Sequence, residues 1–100
     1  MVRHVILWTL KEEFTGEQKE VIKRGIKEGL EGLQGRIPGL VEIKVNLSPL
    51  KGSTCDLMLD SLFEDEEALK NYSTHPAHVE TANGKVRPFT DKRMCLNYEV

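Results

Sequence analysis

The sequence is poor in the features that define several common protein classes. Its two cysteines, Cys55 and Cys95, are too few for a disulfide framework, and we interpret both as small hydrophobic residues. Acidic and basic residues are mixed along the chain, with a formal net charge of −2 and no basic stripe, which argues against a nucleic-acid partner. The longest apolar run is Val5-Ile6-Leu7-Trp8, far below the roughly 20 residues that span a bilayer. We therefore expect no nucleic-acid partner, no membrane partner and a cytoplasmic location.

Motifs for the common cofactors are also missing. The sequence contains no phosphate loop, dinucleotide-binding fingerprint or nucleophile elbow. Structural zinc needs four nitrogen or sulfur ligands, and the few histidines and cysteines are scattered along the chain. A divalent cation on carboxylates such as Asp56 or Asp60 is a weaker alternative, and haem would need a histidine on an open apolar wall. We expect neither a metal nor a cofactor.

Apolar periodicity predicts one domain over residues 1–100 that begins with a strand and a helix. Val2 to Leu10 carries apolar residues on both of its faces, which is typical of a central strand covered on both sides. Thr15 and Gln18 form a capping box for a helix that runs to about Gly35. The helix carries one apolar stripe, formed by Ile22, Ile26, Leu30, Leu33 and Ile37.

The second half of the chain predicts two strands, a broken helix and a closing strand. Alternating residues mark strands over 40–47 and 55–64. Asp65 can cap the next helix, and Pro76 suits the first position of a new helical segment. The last strand covers 92–100. The apolar face of the second strand is predicted to be Val41, Ile43, Val45 and Leu47.

The order strand, helix, strand, strand, helix, strand is the split β-α-β arrangement of ferredoxin-like α+β folds. Right-handed crossovers give an antiparallel sheet in the order 4-1-3-2, with the helices on one face. Strand 1 then separates Cys55 from Cys95 by more than the reach of a disulfide. The uncovered face would expose apolar side chains from Val5, Leu7, Met58, Leu62, Met94, Leu96 and Tyr98. We predict a homodimer through this face, with a different protein partner as the alternative.

Side chains that can titrate or donate hydrogen bonds near neutral pH are concentrated in the segment Tyr72-Ser-Thr-His75-Pro76-Ala77-His78-Val79. A histidine titrates near neutral pH, which suits removal of a proton next to a carbonyl group. A tyrosine hydroxyl can donate a hydrogen bond to the oxyanion that results. Because the proline interrupts the helix, Tyr72 and His78 can both point into one cavity over the sheet. His4 and Trp8 of the first strand would lie beneath them.

Each of these residues also has a structural interpretation. His75 suits a helix cap or junction, and His78 can bond a backbone carbonyl without meeting any ligand. Tyr72 and His4 can be core residues with satisfied polar atoms, and Trp8 can be core rather than pocket wall. The residues alone leave both interpretations open.

The chain resembles the stress-responsive α/β-barrel (Dabb) family of the dimeric α/β-barrel superfamily. The resemblance spans nearly the whole chain and implies a ferredoxin-like monomer and a homodimer whose two sheets form a barrel. It rests on these segments in order: Arg3-His4-Val5-Ile6-Leu7, Ile37-Pro38-Gly39-Leu40, Asp56-Leu57-Met58-Leu59, Phe63-Glu64, Glu67-Ala68-Leu69 through Tyr72, His75-Pro76-Ala77-His78-Val79 and Asn97-Tyr98-Glu99-Val100.

One group in that family, the plant olivetolic acid cyclases, closes a linear polyketide by a cofactor-free aldol reaction. Its motif is similar to the Tyr72 to Val79 segment. The resemblance implies that His78 acts as base, that Tyr72 assists at the substrate carbonyl and that His4 lies nearby. The closing strand of those cyclases carries an aspartate where this chain has Asn97. An amide cannot stabilise an imidazolium as a carboxylate does, which predicts a weaker base here.

The sequence therefore favours two candidate functions. The first is a homodimeric barrel, stress-associated or housekeeping, that binds a small hydrophobic molecule between sheet and helices without turnover. The alternative is a cofactor-free lyase or cyclase that acts on a polyketide-like carbonyl compound, with His78 as base and Tyr72 as hydrogen-bond donor. The pocket is predicted to include His4, Trp8, His75 and Asn97.

Overall fold

The computed structural model describes residues 1–100 and contains one antiparallel sheet with all its helices on one face. The elements are β1 (Val2–Leu10), α1 (Gly16–Glu31), β2 (Leu40–Asn46), β3 (Leu57–Phe63), α2 (Glu66–Thr74), α3 (Pro76–Thr81), a π-helical turn (Ala82–Val86) and β4 (Thr90–Glu99). The strand order β2-β3-β1-β4 confirms the predicted ferredoxin-like α+β topology with β1 in the centre. None of the helices has the length and apolar character needed to cross a membrane.

The start of α1 follows the sequence prediction, and its end does not. The Thr15 hydroxyl accepts a hydrogen bond from the Gln18 amide at 3.2 Å, and the Gln18 side chain accepts one from the Thr15 amide at 2.9 Å. The helix ends at Glu31, before the predicted end near Gly35. The Glu31 carboxylate accepts a hydrogen bond from the Val45 amide at 2.9 Å, which ties this end to β2. Gly35 then turns the chain with a φ of +81°, a conformation that favours glycine.

Val41 departs from the predicted apolar face of β2. A register shift between Leu40 and Glu42 marks a β-bulge against β3. The bulge places Leu40 among the buried residues and leaves Val41 exposed, whereas Ile43 and Val45 are buried as predicted. The alternating pattern of apolar residues mispredicts this end of β2, because the one extra residue of the bulge reverses the face of the residues that precede it.

The core lies between the inner face of the sheet and the helices. Residues at alternate positions of β1 point inward, and the predicted stripe of α1 packs on them: Ile6, Trp8, Leu10, Ile26, Leu30, Leu33 and Ile37 are all buried. Gly39, with a φ of +82°, allows α2 to approach closely, because a Cβ at this position would lie 2.4 Å from that of Ala68. The helices are therefore held directly on the inner face, where a site between the two layers can form.

The opposite side of the sheet, here called the open face, carries no helix. Leu96 is 62% exposed and Met94 is 52% exposed. They lie opposite Val5 and Leu7 in the β1–β4 ladder, so the apolar area is centred on these two strands. The remaining apolar members of the open face are Met58, Leu62 and Tyr98.

The two carboxylates considered for a cation are bonded to protein groups. Asp56 accepts a hydrogen bond from the Leu10 amide at 2.7 Å. Asp60 accepts one from the Arg3 guanidinium at 2.7 Å on the open face. Both cysteines are free, as predicted from their separation in the sheet, although Cys55 precedes β3 rather than lying within it.

Candidate ligand-binding site

A cavity of about 380 Å³ lies between the inner face of the sheet and the segment that runs from α2 to β4. Its apolar walls are formed by Ile6, Trp8, Leu30, Leu59, Ala82 and Val86. A more open depression of about 320 Å³ beside the β2–β3 loop has Asp56 as its one carboxylate, and that group already bonds Leu10. The cavity over the sheet is therefore the better candidate for a ligand site.

Tyr72 and His78 meet in this cavity because Pro76 restarts the helix between them. Their rings lie 4.1 Å apart, centroid to centroid, with an interplanar angle of 38°. Tyr72 is 1% exposed, and its hydroxyl has no hydrogen-bond partner in the protein. Burial raises the pKa of Tyr72 well above its ordinary value. The hydroxyl therefore stays protonated and remains available as a donor.

The orientation of His78 is set by the backbone of α2. Its Nδ1 lies 3.3 Å from the Ser73 carbonyl oxygen, which can only accept, so Nδ1 carries the proton and Nε2 is left as an acceptor. Burial lowers the pKa of His78, the bond to Ser73 opposes this effect, and nearby Arg87 lowers the pKa further. The neutral imidazole is thus favoured. His78 therefore bonds a backbone carbonyl, as expected for a structural histidine, and also lines the cavity.

His4 reaches the same cavity from β1. Its Nδ1 lies 2.6 Å from the Asn97 side-chain oxygen, which again places the proton on Nδ1. The ring packs edge-on against Tyr72 and Phe63, with centroid separations of 6.2 Å in both cases. Burial lowers the pKa of His4, and although the bond to Asn97 raises it, Arg93 adds to the lowering. The cavity therefore holds two imidazoles for which the uncharged form is favoured.

The structure brings together four of the six predicted site residues. Trp8 and His4 line the cavity together with Tyr72 and His78. His75 does not line it: its Nδ1 accepts a hydrogen bond from the Ala77 amide at 3.1 Å and caps α3. Asn97 is exposed on β4 and reaches the cavity only through His4. These two residues therefore lie outside the cavity wall, because the His75 imidazole is directed to the Ala77 amide and the Asn97 side-chain oxygen is directed to His4.

Two arginines that the sequence analysis did not single out also line the cavity. Arg93 lies opposite Trp8 in the β1–β4 ladder and so belongs to the inner face. Arg87 follows the π-helical turn. Both side chains belong to exposed residues, so they form the solvent side of the cavity, here called the mouth. The predicted strand order already places Arg93 beside β1, and that signal could have revealed it.

Comparison with known proteins agrees with this architecture. The family model for the stress responsive A/B barrel domain, Dabb, matches residues 2–100. The chain belongs to this family. No curated protein matches the sequence. Among solved structures, a dimeric protein of unknown function with a ferredoxin-like fold from Bacteroides fragilis is 31% identical, with a TM-score of 0.91 over 99% of this chain and 95% of that chain.

Two plant structures resemble this A/B barrel domain more distantly. A protein from Arabidopsis thaliana is 25% identical, with a TM-score of 0.75 over 100% of this chain and 95% of that chain. A hydroxynitrile lyase from Passiflora edulis is 24% identical, with a TM-score of 0.70 over 97% of this chain and 90% of that chain. The likeness to the lyase is one of fold.

Buried His4 and half-buried His78 predict that acid destabilises this A/B barrel domain. Their folded pKa values lie below the unfolded value of about 6.5, so the unfolded state binds more protons once the pH falls below that point. The stabilising contribution is present above about 6.5 and is lost as the pH falls through the folded pKa values. Urea unfolding at a series of pH values should show this loss. A His4→Gln/His78→Gln variant should show a flatter dependence, and an unchanged slope would contradict the assignment.

Proposed function

We propose that this A/B barrel domain binds a small, mainly apolar molecule with a polar oxygen in the cavity between sheet and helices. The observation that carries the proposal is Tyr72, a residue of the cavity wall whose hydroxyl is buried and has no hydrogen-bond partner in the protein. A buried hydroxyl without a partner costs about 1–3 kcal/mol. A ligand oxygen that accepts its hydrogen bond would recover that cost, while the apolar walls would contact the rest of the molecule.

His78 adds a second polar contact beside the first. Its Nε2 is free because Nδ1 bonds Ser73, and its ring lies next to that of Tyr72. A carbonyl compound or an alcohol suits this pair, because each has one oxygen on an otherwise apolar body. The cavity volume of about 380 Å³ limits the ligand to a small molecule.

The proposal includes a homodimer through the open face. The exposed side chains of Met94 and Leu96 lie beside half-buried Val5 and Leu7, which makes a continuous apolar area on one side of the sheet. Such an area favours association. The similar protein from Bacteroides fragilis is dimeric, which supports the same arrangement for this chain.

Binding is tested with 2-octanone, an apolar ketone, by ligand-observed NMR. The wild-type chain is expected to bind it, and Ala82→Leu is expected to weaken binding at least tenfold because the larger side chain fills the cavity. Tyr72→Phe should weaken binding by about tenfold through loss of one hydrogen bond. Val21→Leu enlarges an exposed side chain of α1 and serves as the matched control. Equal binding by all four proteins, or no binding to the wild type, would overturn the proposal.

Catalysis on a carbonyl compound is the second candidate, and the juxtaposition of Tyr72 and His78 favours it. His78 Nε2 would take a proton from the carbon next to the carbonyl, and Tyr72 would donate a hydrogen bond to the enolate oxygen. The uncharged form that burial favours in His78 is the form that acts as a base. The resulting carbanion would attack a second carbonyl in a cyclase or regain a proton.

Proton exchange separates this candidate from binding alone. In heavy water, the hydrogens next to the carbonyl of 2-octanone should be replaced by deuterium faster with the wild type than with His78→Ala. The same measurement on Tyr72→Phe isolates the role of the hydroxyl. Exchange at the uncatalysed rate in the presence of bound ketone would leave binding as the function and eliminate the catalytic candidate.

A further inference from the structure

The charge of the cavity differs from that of the chain around it. Acidic residues outnumber basic ones and the formal net charge is −2, yet no aspartate or glutamate lines the cavity. The only lining residues with a full charge are Arg87 and Arg93, because burial favours the neutral forms of both histidines. The mouth is therefore positive on a protein with an acidic balance.

Neither arginine is neutralised within the protein. The salt bridges of the structure involve Arg3, Lys23 and Lys27, and none includes Arg87 or Arg93. The Arg87 guanidinium donates a hydrogen bond to the Asn83 side-chain oxygen, a neutral partner that orients the group without cancelling its charge. Two planar donor groups thus stand at the mouth without an anionic partner.

We propose that the preferred ligand of this cavity is an apolar monocarboxylic acid whose carboxylate is bound by Arg87 and Arg93 at the mouth. A guanidinium matches a carboxylate with two parallel hydrogen bonds, a geometry that gives strength and direction. The hydrocarbon part extends inward along the walls formed by Trp8, Leu59 and Val86, and an oxygen carried on it accepts the hydrogen bond of Tyr72. Octanoate and 1-octanol therefore test the carboxylate contact separately from the Tyr72 contact. This inference rests on the proposed binding function and specifies the chemical class of the ligand.

The ligand class is tested by comparing octanoate with 1-octanol, which has the same chain length and no charge. The wild type should bind octanoate about tenfold more tightly, as expected for one well-formed charged pair. The preference should shrink as salt is added, because both arginines are exposed and ions screen them. Octyl phosphate serves as a third probe with a different anionic group.

Variants identify the groups responsible. Arg93→Gln and Arg87→Gln should each weaken octanoate binding several-fold and affect 1-octanol binding much less, so that the preference for octanoate shrinks. Arg24→Gln removes the same charge from an exposed position of α1 and should change neither probe. Because these side chains are exposed, the variants are expected to fold, and circular dichroism checks that they do.

The possible outcomes distinguish failure of the carboxylate assignment from failure of the proposed binding function. Equal affinity for octanoate and 1-octanol, or an octanoate preference that survives in both mouth variants, would overturn the carboxylate assignment while binding in the cavity stands. Tighter binding of octyl phosphate than of octanoate would overturn it in favour of a phosphate group. Failure of all three probes to bind would contradict the proposed function together with the inference.

Discussion

Leu96→Asp is expected to convert the proposed homodimer into a monomer. Leu96 is 62% exposed in the single chain and lies at the centre of the apolar area, opposite Val5 of β1. A two-fold interface contains each substitution twice, so two carboxylates would enter the same apolar contact. Burying an unpaired charge costs several kcal/mol, which raises the dissociation constant by more than a hundredfold. The molar mass measured by light scattering after gel filtration should fall from twice 11.4 kDa to 11.4 kDa.

Val21→Asp provides the matched control for this experiment. Val21 is 72% exposed on α1, more than Leu96, but it lies on the helical side of the molecule. The same substitution there should leave the mass of the dimer unchanged. A dimer that persists in Leu96→Asp and dissociates in Val21→Asp would place the interface on the helices and contradict the assignment of the open face.

Phe63→Ala should be the most destabilising single substitution of a core side chain next to the site. Phe63 has no exposed surface, and its ring packs edge-on against Tyr72 with a centroid separation of 4.9 Å. Removing a buried phenylalanine side chain costs about 3–5 kcal/mol, a large part of the stability of a domain this size. The urea midpoint should fall accordingly. It should be measured at a fixed protein concentration, because the proposed dimerisation would add to stability.

Two further variants calibrate that result. Phe63→Leu keeps most of the volume and should cost less, which retains a folded protein if the alanine variant unfolds. Phe14→Ala makes the same change at a half-buried position. The ring of Phe14 packs against that of Phe89 with a centroid separation of 5.8 Å. The cost of Phe14→Ala should be well below that of Phe63→Ala. Equal destabilisation at the two positions would contradict the packing described around Tyr72.

Local signals in the sequence were sufficient for the architecture. The capping box at Thr15, the apolar stripe of α1 and the two-faced β1 each depend on neighbours in the chain. Right-handed crossovers then left one strand order, which the structure confirms. The bulge before Glu42 could not be predicted, because it depends on how β2 meets β3 rather than on the residues of β2 alone.

The site was predictable only in part, because its residues come from distant segments. The break at Pro76 was enough to pair Tyr72 with His78. The mouth arginines depend on the ladder between β1 and β4 and on the chain path after the π-helical turn. For His75 the sequence offered both a helix cap and a pocket position, and the side-chain direction that makes it a cap is not fixed by spacing in the sequence.

The location of bound ligand is the most direct test of the proposed cavity site. Methyl resonances of labelled leucine and valine can be followed while octanoate is added to the wild-type protein. Binding in the cavity predicts saturable shifts at Leu30, Leu59 and Val86, which line the cavity, and none at Val5 and Leu96 on the open face. Shifts confined to the open face, or an absence of shifts at every methyl group, would contradict it.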